Sequence, residues 1–316
     1  MKAARAAAPG KVILFGEHAV VYGRPALAVP VAQVTARATV APGGQGFWIE
    51  AVNLSKRYAL EAAPASDPLA KAVELALNRA GLSEPPAGEV RVESSIPMAS
   101  GLGSGAAVCT AVVRALAEAL GLELSAAEVS ALVFETETLL HGTPSGIDNT
   151  VVAYGQPVYF VREQPPVPFR VGRPFHLLIA DTGRPSPTRV AVGDVRAAYE
   201  RGPARLTAIF DQIGAVVDEA RGRIEAGQPE ALGPLMNRNQ ALLRELGVSS
   251  PELDELAARA GAGGALGAKL SGAGRGGNLL ALVTPETAEA VREALVAGGA
   301  AGVIGTWVGE TLKRDA

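Results

Sequence analysis

The chain has 316 residues and a formal net charge of −3 at pH 7, with 48% hydrophobic and 19% charged residues. This balance is typical of a soluble globular protein large enough for two domains, and it excludes a disordered chain. The negative charge and the aromatic content of 4% argue against nucleic acid as a partner.

The N-terminal third predicts strands followed by helices. Three segments predict strands by their apolar, β-branched or alternating residues: 11–16, 25–40 and 89–97. Helical spacing predicts a helix over 67–81, with Asp67 as its cap and Gly81 as its end. A glycine-rich stretch then leads into a predicted helix over 106–121.

The middle of the chain contains a helix, a loop and a predicted boundary. Ser125 and Glu128 form a capping box that opens a helix ending near residue 141. A loop over 141–149 leads into a strand-like run over 151–160. The proline-rich segment 162–174 is the best candidate for a domain boundary, because proline cannot pair within a central strand.

The C-terminal part predicts a strand over 175–183, helices over roughly 189–260, and a strand, glycine loop and strand over 268–283. A last helix and strand finish the chain. The order of elements predicts a mixed α and β protein with two domains.

Cysteine and histidine are scarce. The single cysteine, Cys109, excludes an intramolecular disulfide and a thiolate-rich metal site, and its apolar neighbours predict a buried position. With only three histidines, a His-based metal site is a poor candidate. The N-terminal segment lacks the apolar core of a signal peptide, and no apolar run is long enough to span a bilayer. We therefore expect a cytoplasmic protein without a membrane partner.

The stretch "IPMASGLGSGAAV" places Gly101, Gly103 and Gly105 between a predicted strand and a predicted helix. This arrangement can aim backbone N–H groups and a helix dipole at a phosphate, although a tight, closely packed turn explains the same residues. The stretch also matches G-x-G-x-x-A. A dinucleotide fold is nevertheless a weak interpretation, because the motif comes near residue 100 and its helix runs into another helix. No segment matches the standard P-loop pattern.

Three charged or titratable side chains surround the first predicted strand. Lys11 begins this apolar strand, and Glu17 and His18 follow where it should end. Site residues collect at strand ends. Each of the three is, on its own, more often a structural or solvated residue.

A carboxylate lies on the apolar face of the helix after the capping box. Four residues mark its inward stripe: Val129, Val133, Thr136 and Leu140. Glu137 falls on this stripe, whereas Glu135 points to solvent. A buried carboxylate needs a partner, and either a salt bridge or a divalent cation would serve. Asp148, in the loop before the next predicted strand, either presents its side chain to a ligand or caps a turn.

A second glycine cluster lies between two predicted strands and consists of Gly272, Gly274, Gly276 and Gly277. Together these features are the parts of a phosphoryl-transfer site. The two glycine loops would bind phosphates and the helical carboxylate a metal, while an Asp and a Lys would flank the hydroxyl that accepts the phosphoryl group.

Three segments resemble the motifs of the GHMP kinase superfamily in order and spacing: "PGKVILFGEHAVVYG", "IPMASGLGSGAA" and "KLSGAGRGGN". Within this superfamily, "GEHAVVYG" together with "HGTPSGIDN" is most similar to the mevalonate kinases. Galactokinases typically carry T-D-Y after GEH, and phosphomevalonate kinases more often carry GEY.

The resemblance implies a two-domain GHMP kinase fold. Residues 1–165 would form the N-terminal domain, related to ribosomal protein S5 domain 2, and 166–316 a ferredoxin-like C-terminal domain, with ATP in the cleft between them. The implied activity is Mg²⁺-dependent transfer of the γ-phosphoryl group of ATP to the 5-hydroxyl of mevalonate, in isoprenoid biosynthesis. Related kinases are often dimers, which makes a homodimer possible.

The resemblance also implies roles for individual residues. Asp148 matches the catalytic Asp that takes or orients the hydroxyl proton, and Lys11 the Lys that lowers the pKa of that hydroxyl. Glu137 matches the metal-binding Glu. Substrate-pocket positions are matched by Glu17, His18 and, more weakly, Thr188. The ATP-binding positions are Ser100, Gly101, Leu102, Gly103, Ser104, Gly105, Ala106, Gly272 and Gly274.

Two positions depart from the family pattern. Gly105 stands where a second Ser commonly supplies a hydroxyl to Mg²⁺. Ser104 could replace it as a metal ligand, water could complete the shell, or Glu137 could carry more of the binding. Arg275 stands where Gly is common, and it either reaches a phosphate or lies on the wet side of the loop.

Two alternatives are open at this point. The chain could be another GHMP kinase, such as a mevalonate 3-kinase or a phosphomevalonate kinase. It could also be a non-catalytic ligand sensor with the same fold, which Gly105 favours. Lys11 and Asp148 together argue against a sensor, since binding alone needs no proton acceptor.

Overall fold

A computed structural model describes residues 1–97, 100–141, 144–186 and 188–310. The chain forms two compact units, each built from segments that are not contiguous in sequence. The first unit comprises Met1–Lys11, Val34–Met98 and Leu102–Gly155. The second comprises Val12–Gln33, Ala99–Gly101 and Gln156–Ala316. The sequence-based division into 1–165 and 166–316 stays a prediction.

The first unit contains a sheet. Its strands are β1 (Ala4–Phe15) and β2 (Ala26–Pro42), which both continue into the second unit, and β3 (Phe47–Ala51), β4 (Lys56–Ala59) and β5 (Gly88–Ser94). β3 pairs antiparallel with β4 and parallel with β5, and β5 pairs antiparallel with the C-terminal half of β2. The predicted strands over 11–16, 25–40 and 89–97 are confirmed.

Among the described residues, the α-helices of the first unit are α1 (Pro68–Arg79), α2 (Ser104–Leu120), α3 (Ala126–His141) and α4 (Ile147–Tyr154). The Asp67 carboxylate caps α1 by accepting from the N–H groups of Leu69 and Ala70 at 2.8 and 3.1 Å. The capping box is confirmed as well, because Glu128 Oε2 accepts from Ser125 N at 2.9 Å. Small residues let α2 pack closely, and Cys109 on this helix is buried as predicted.

The strand predicted over 151–160 is wrong in its first half. Residues 147–154 form α4, and only Val158–Phe160 form a strand, β6. Val151, Val152 and Ala153 are fully buried. A short apolar run that is buried on every side has no periodicity to separate helix from strand. Asp148 consequently lies in the first turn of a helix, and residues 142–143 of the predicted loop lie outside the described residues.

The second unit contains a four-stranded antiparallel sheet. Its order is β11 (Gly302–Val308), β8 (Phe175–Asp181), β10 (Asn278–Val283) and β9 (Gly267–Ser271). In addition, β6 pairs with the start of β2 and with the short strand β7 (Val167–Pro168). The predicted pattern of strand, glycine loop and strand over 268–283 is confirmed.

In the part of the second unit that the structure describes, the α-helices are α5 (Thr188–Arg201), α6 (Pro203–Glu225), α7 (Leu232–Glu245), α8 (Pro251–Ala262) and α9 (Ala288–Ala297). The central strands β8 and β10 are almost completely buried, which explains their continuous apolar runs. Within the described ranges, no helix combines the length and the apolar character needed to cross a membrane.

Candidate active site

A lysine and an aspartate form an ion pair in the first unit. Lys11 Nζ lies 2.9 Å from Asp148 Oδ2. The Lys11 side chain is 5% exposed and that of Asp148 is 32% exposed, so solvent reaches only the carboxylate. Residues far apart in the sequence meet because β1 carries the lysine and the first turn of α4 carries the aspartate. The pair joins a fixed positive charge to an accessible proton acceptor.

A glycine makes room for the lysine. Gly103 has a φ of 73°, in the left-handed region. A Cβ at this position would lie 2.7 Å from Lys11 Cγ and 3.0 Å from Lys11 Cε. The backbone N–H of Lys11 also donates to Leu102 O at 2.9 Å. The glycine stretch therefore fixes the backbone of Lys11 through Leu102 and leaves room for its side chain at Gly103.

The helix α2 starts directly after this glycine. Gly103 is its N-cap residue, and no side chain caps the helix. The first backbone N–H that bonds within the helix is that of Ala107, which donates to Gly103 O at 2.9 Å. The N–H groups of Ser104, Gly105 and Ala106 precede it, in the turn where a helix has no internal acceptors. Three donors at the positive end of a helix dipole suit an anion.

Glu137 lies on the buried face of α3, as predicted. It is 4% exposed, its stripe neighbours Val129, Val133 and Thr136 are buried, and Glu135 is exposed. The side chain of Leu140 lies outside the described residues. Burial, and then the negative charge of Asp148, raise the pKa of Glu137 to about 7, while Lys11 opposes this shift. Lys11, Asp148 and Glu137 therefore form one electrostatic cluster.

A buried hydrogen-bond network ties α3 to α4. Asn149 Nδ2 donates to Ser130 O at 3.0 Å and to Ser130 Oγ at 2.9 Å. Ser130 Oγ also lies 3.4 Å from Thr150 Oγ1. Asn149 follows Asp148 in the sequence, so this network fixes the turn that presents the catalytic candidate. Sequence analysis missed Asn149 and Ser130, because an isolated Asn or Ser carries no periodic signal.

In the second unit, Glu17 pairs with a residue that sequence analysis missed. Its carboxylate accepts from Lys269 Nζ on β9, and both side chains are 0% exposed. Asn239 Nδ2 on α7 donates to the second carboxylate oxygen at 3.3 Å. A lysine within the apolar run "GAKLS" could have been noticed, since a buried lysine requires a partner.

His18, the next residue, has a strained backbone and a fixed ring. Its φ is 61°, which side-chain-bearing residues rarely adopt. Its Nε2 lies 3.0 Å from Ala273 O, in the second glycine cluster. Burial lowers the pKa of His18 to about 4, the Ala273 carbonyl opposes this shift, and the positive charge of Arg275 adds to it. The ring is therefore neutral at pH 7.

The loop 272–277 is held closely by its surroundings. Gly274 is required there, because a Cβ would lie 2.0 Å from Val248 O. Ser186 Oγ donates to Gly274 O at 2.7 Å. Arg275, which stands where the family motif commonly has Gly, forms an ion pair with Asp194 on α5. Gly272, by contrast, has open space where a Cβ would point.

The remaining predicted residues also lie in the second unit. The Ser100 carbonyl accepts a hydrogen bond from Asn278 Nδ2, and Gly101 is exposed with a φ of 78°. Thr188 is exposed and is the first residue of α5. The predicted set is thus divided. The first unit holds Lys11, Leu102, Gly103, Ser104, Gly105, Ala106, Glu137 and Asp148, and the second holds Glu17, His18, Ser100, Gly101, Thr188, Gly272 and Gly274.

Comparison with known proteins decides the family. A family model described as the GHMP kinases N terminal domain matches residues 68–156, and one described as GHMP kinases C terminal matches 220–301. The mevalonate kinase of Pyrococcus furiosus is 36% identical, with 93% of each chain covered. The chain belongs to the GHMP kinase family.

Other GHMP kinases extend the likeness. The mevalonate kinase of Aeropyrum pernix is 37% identical, again with 93% of each chain covered. A crystal structure of L. major mevalonate kinase in complex with R-mevalonate matches with a TM-score of 0.83 and 30% identity, covering 97% of this chain and 96% of that one. The two-domain GHMP kinase fold predicted from the motifs is confirmed.

A GHMP kinase is expected to use a divalent metal with ATP, and the first unit offers suitable ligands. In the part of the chain that the structure describes, no three His, Cys, Asp or Glu side chains gather as a complete metal cage. The Glu137 carboxylate, whose pKa is raised first by burial and then by the charge of Asp148, is a hard oxygen donor whose charge a cation would stabilise. Mg²⁺ typically takes one or two protein carboxylates together with waters and phosphate oxygens. The residues present therefore fit a divalent cation bound jointly with a nucleotide.

Proposed function

We propose that this GHMP kinase is a mevalonate kinase, which transfers the γ-phosphoryl group of ATP to the 5-hydroxyl of mevalonate. The observation that carries the proposal is the Lys11–Asp148 ion pair at 2.9 Å, with the lysine buried and the carboxylate reachable by solvent. Two mevalonate kinases match this chain at 36% and 37% identity over 93% of each chain. This similarity supports mevalonate as the substrate.

Asp148 acts on the proton of the accepting hydroxyl. As the hydroxyl oxygen attacks the γ-phosphorus, its O–H bond breaks and the proton passes to the Asp148 carboxylate. The new O–P bond replaces the bond from the γ-phosphorus to the β-phosphate bridging oxygen, and ADP leaves. Lys11 stabilises the developing alkoxide, because its buried ammonium cannot turn away to solvent.

The start of α2 holds the triphosphate. Its uncapped N–H groups, from Ser104 to Ala106, supply hydrogen bonds that cost no side-chain ordering, and the helix dipole adds a positive potential. Glycine at 103 and 105 lets phosphate oxygens approach the backbone. Ser100, Gly101, Leu102, Gly272 and Gly274 stay the other predicted ATP contacts.

Glu137 is the proposed protein ligand of Mg²⁺, and Ser104 is the candidate hydroxyl ligand in place of the Ser that Gly105 replaces. When bound, the metal neutralises charge on the transferring phosphoryl group. His18, Thr188 and Glu17 stay the predicted substrate positions. A homodimer and a cytoplasmic location also stay predictions.

The test is an acceptor panel. The purified protein with ATP and Mg²⁺ is given mevalonate, phosphomevalonate, galactose or homoserine, ADP formation is measured, and the product is examined by phosphorus NMR. We expect ADP with mevalonate alone and a phosphomonoester on its 5-oxygen. Turnover with another acceptor in its place, or phosphorylation at the 3-oxygen, would overturn the proposal, and ATP binding without any turnover would indicate a sensor.

A further inference from the structure

The pair of Glu17 and Lys269 has no part in the chemistry described above, yet it is the most deeply buried ion pair among the described residues. Both side chains are 0% exposed. Lys269 Nζ also donates to the carbonyl of Leu270 and lies 6.0 Å from the centre of the Phe15 ring. Burial acts against the charged form of each partner, raising the pKa of Glu17 and lowering that of Lys269, and their mutual attraction opposes both shifts.

The pair connects two segments that are over 250 residues apart in sequence. Glu17 follows the end of β1, and Lys269 lies in the middle of β9. A second link joins β1 itself to β9, because Ser271 Oγ donates to Ile13 O at 2.9 Å and accepts from Ile13 N at 3.2 Å. The end of β1 is therefore attached to β9 at two points.

Both attached segments continue directly into candidate site residues. Glu17 is followed by His18, and β9 is followed by the loop 272–277. These two meet where His18 Nε2 lies 3.0 Å from Ala273 O. The strained φ of 61° at His18 requires support from its surroundings, and the fully buried side chain of its neighbour provides an anchor.

We propose that Glu17 and Lys269 form a positioning pair, in which the buried ion pair fixes His18 against the loop 272–277 and neither charged side chain contacts substrate. This inference rests on the proposed function only for the expected change in the KM for mevalonate. It changes the predicted role of Glu17 from a substrate contact to a support for the residue beside it, and it gives Lys269 a role that sequence analysis did not foresee.

The kinetic test compares Lys269→Met with a matched core variant. Lys269→Met leaves Glu17 as an uncompensated buried charge, and we expect the melting temperature to fall by about 5 °C or more. We also expect the KM for mevalonate to rise by about tenfold or more while kcat at saturation changes less, because a shift of about 1 Å at a positioning residue weakens productive binding strongly. Leu295→Ala, in the fully buried core of α9, should lower the melting temperature without changing KM.

A double variant separates positioning from stability. Glu17→Gln with Lys269→Met removes both charges, and the melting temperature should return towards that of the wild type. KM should stay raised, since a Gln and a Met do not reproduce the ion-paired tether. A wild-type KM in the double variant would overturn the proposal, and so would a KM in Lys269→Met that changes no more than in Leu295→Ala.

A measurement without turnover keeps the inference independent of the proposed function. The chain has only three histidines, so NMR of histidine-labelled protein can follow the His18 ring, assigned by comparison with His18→Gln. We expect its signal to shift in Lys269→Met and in the double variant but not in Leu295→Ala. An unchanged His18 signal in both pair variants would overturn the positioning role. If only the proposed function were wrong, the wild type would not turn over mevalonate, but the His18 signal would still shift in the two pair variants.

Discussion

The two units each contain a lysine paired with a carboxylate, and the two pairs differ in access to solvent. Lys11 and Asp148 are 2.9 Å apart, with side chains 5% and 32% exposed. Lys269 and Glu17 are both 0% exposed. The chemical groups are nearly the same, but only the first pair has a carboxylate that a substrate could reach.

Physical chemistry explains why this difference matters. A proton acceptor must come within hydrogen-bond reach of the group that it deprotonates, which requires at least one accessible oxygen. A fully buried pair has lost the solvation of both ions, and removing one partner costs far more than the pair contributes in net stability. Variants at the first pair should therefore affect mainly rate, and variants at the second mainly stability and position.

The largest expected effect is that of Asp148→Asn. The amide keeps the shape of the side chain but cannot accept the hydroxyl proton, so kcat should fall about 10²- to 10⁴-fold. Steady-state kinetics measure the loss, and calorimetry with an ATP analogue should show an affinity close to that of the wild type. A kcat within a fewfold of the wild type would contradict the assignment of Asp148.

The space beside Lys11 provides a second test. Gly103→Ala would place a Cβ 2.7 Å from Lys11 Cγ and should displace the ammonium, lowering kcat about tenfold to hundredfold. Gly121→Ala is the matched control, because Gly121 ends the same helix with a φ of 74° and has nothing within 4 Å of a Cβ. Both variants should lose about 1–2 kcal/mol of stability from backbone strain. Equal kcat values for the two variants would show that Lys11 needs no such space.

Two glutamates on one helix test the metal assignment. Glu137→Gln should raise the Mg²⁺ concentration needed for half-maximal activity by about tenfold, because an amide is a weaker ligand than a carboxylate. Glu135→Gln, on the exposed face of α3, should leave it unchanged. Magnesium titrations at fixed ATP measure both, and an unchanged Mg²⁺ requirement in Glu137→Gln would remove Glu137 from the metal site.

Without metal, the stability of the folded protein should depend on pH through Glu137. The pKa of Glu137 is raised from 4.5 to about 7, so the folded protein holds its proton more tightly than the unfolded chain. The stability that this proton contributes is complete below pH 4.5 and is lost as the pH rises through about 7, by up to about 3 kcal/mol. Urea unfolding of the metal-free protein from pH 5 to 8 measures this loss, which Glu137→Gln should abolish. The same slope in the variant would assign it to other groups.

Much of the fold was predictable because its elements carry strong local signals. Asp67 and the Ser125–Glu128 box mark helix starts through side-chain oxygens that accept backbone N–H groups. Glu137 could be placed on a buried face because helical periodicity fixes which residues share a side. α4 was missed because its buried run Val151–Ala153 has no polar face, so neither period shows.

The site was predictable to a different extent in each unit. Lys11 and Asp148 were paired through family motifs, whereas the distance between them depends on the tertiary fold. Lys269 begins the motif "KLSGAGRGGN", but its partner Glu17 is 252 positions away. Nothing in the local sequence indicates that these two charges are buried together. Asn149 carries no periodic signal of its own, and its acceptor Ser130 lies on a different helix, so the sequence did not reveal the contact.

The most direct measurement compares Lys11→Met with Lys269→Met in single-turnover phosphoryl transfer at saturating ATP, Mg²⁺ and mevalonate. Saturation removes differences in binding, so the rate reports the chemical step alone. We expect Lys11→Met to lower this rate by about 10²-fold or more and Lys269→Met to stay within about tenfold of the wild type. A rate for Lys11→Met equal to or faster than that for Lys269→Met would contradict the assignment of chemistry to the accessible pair.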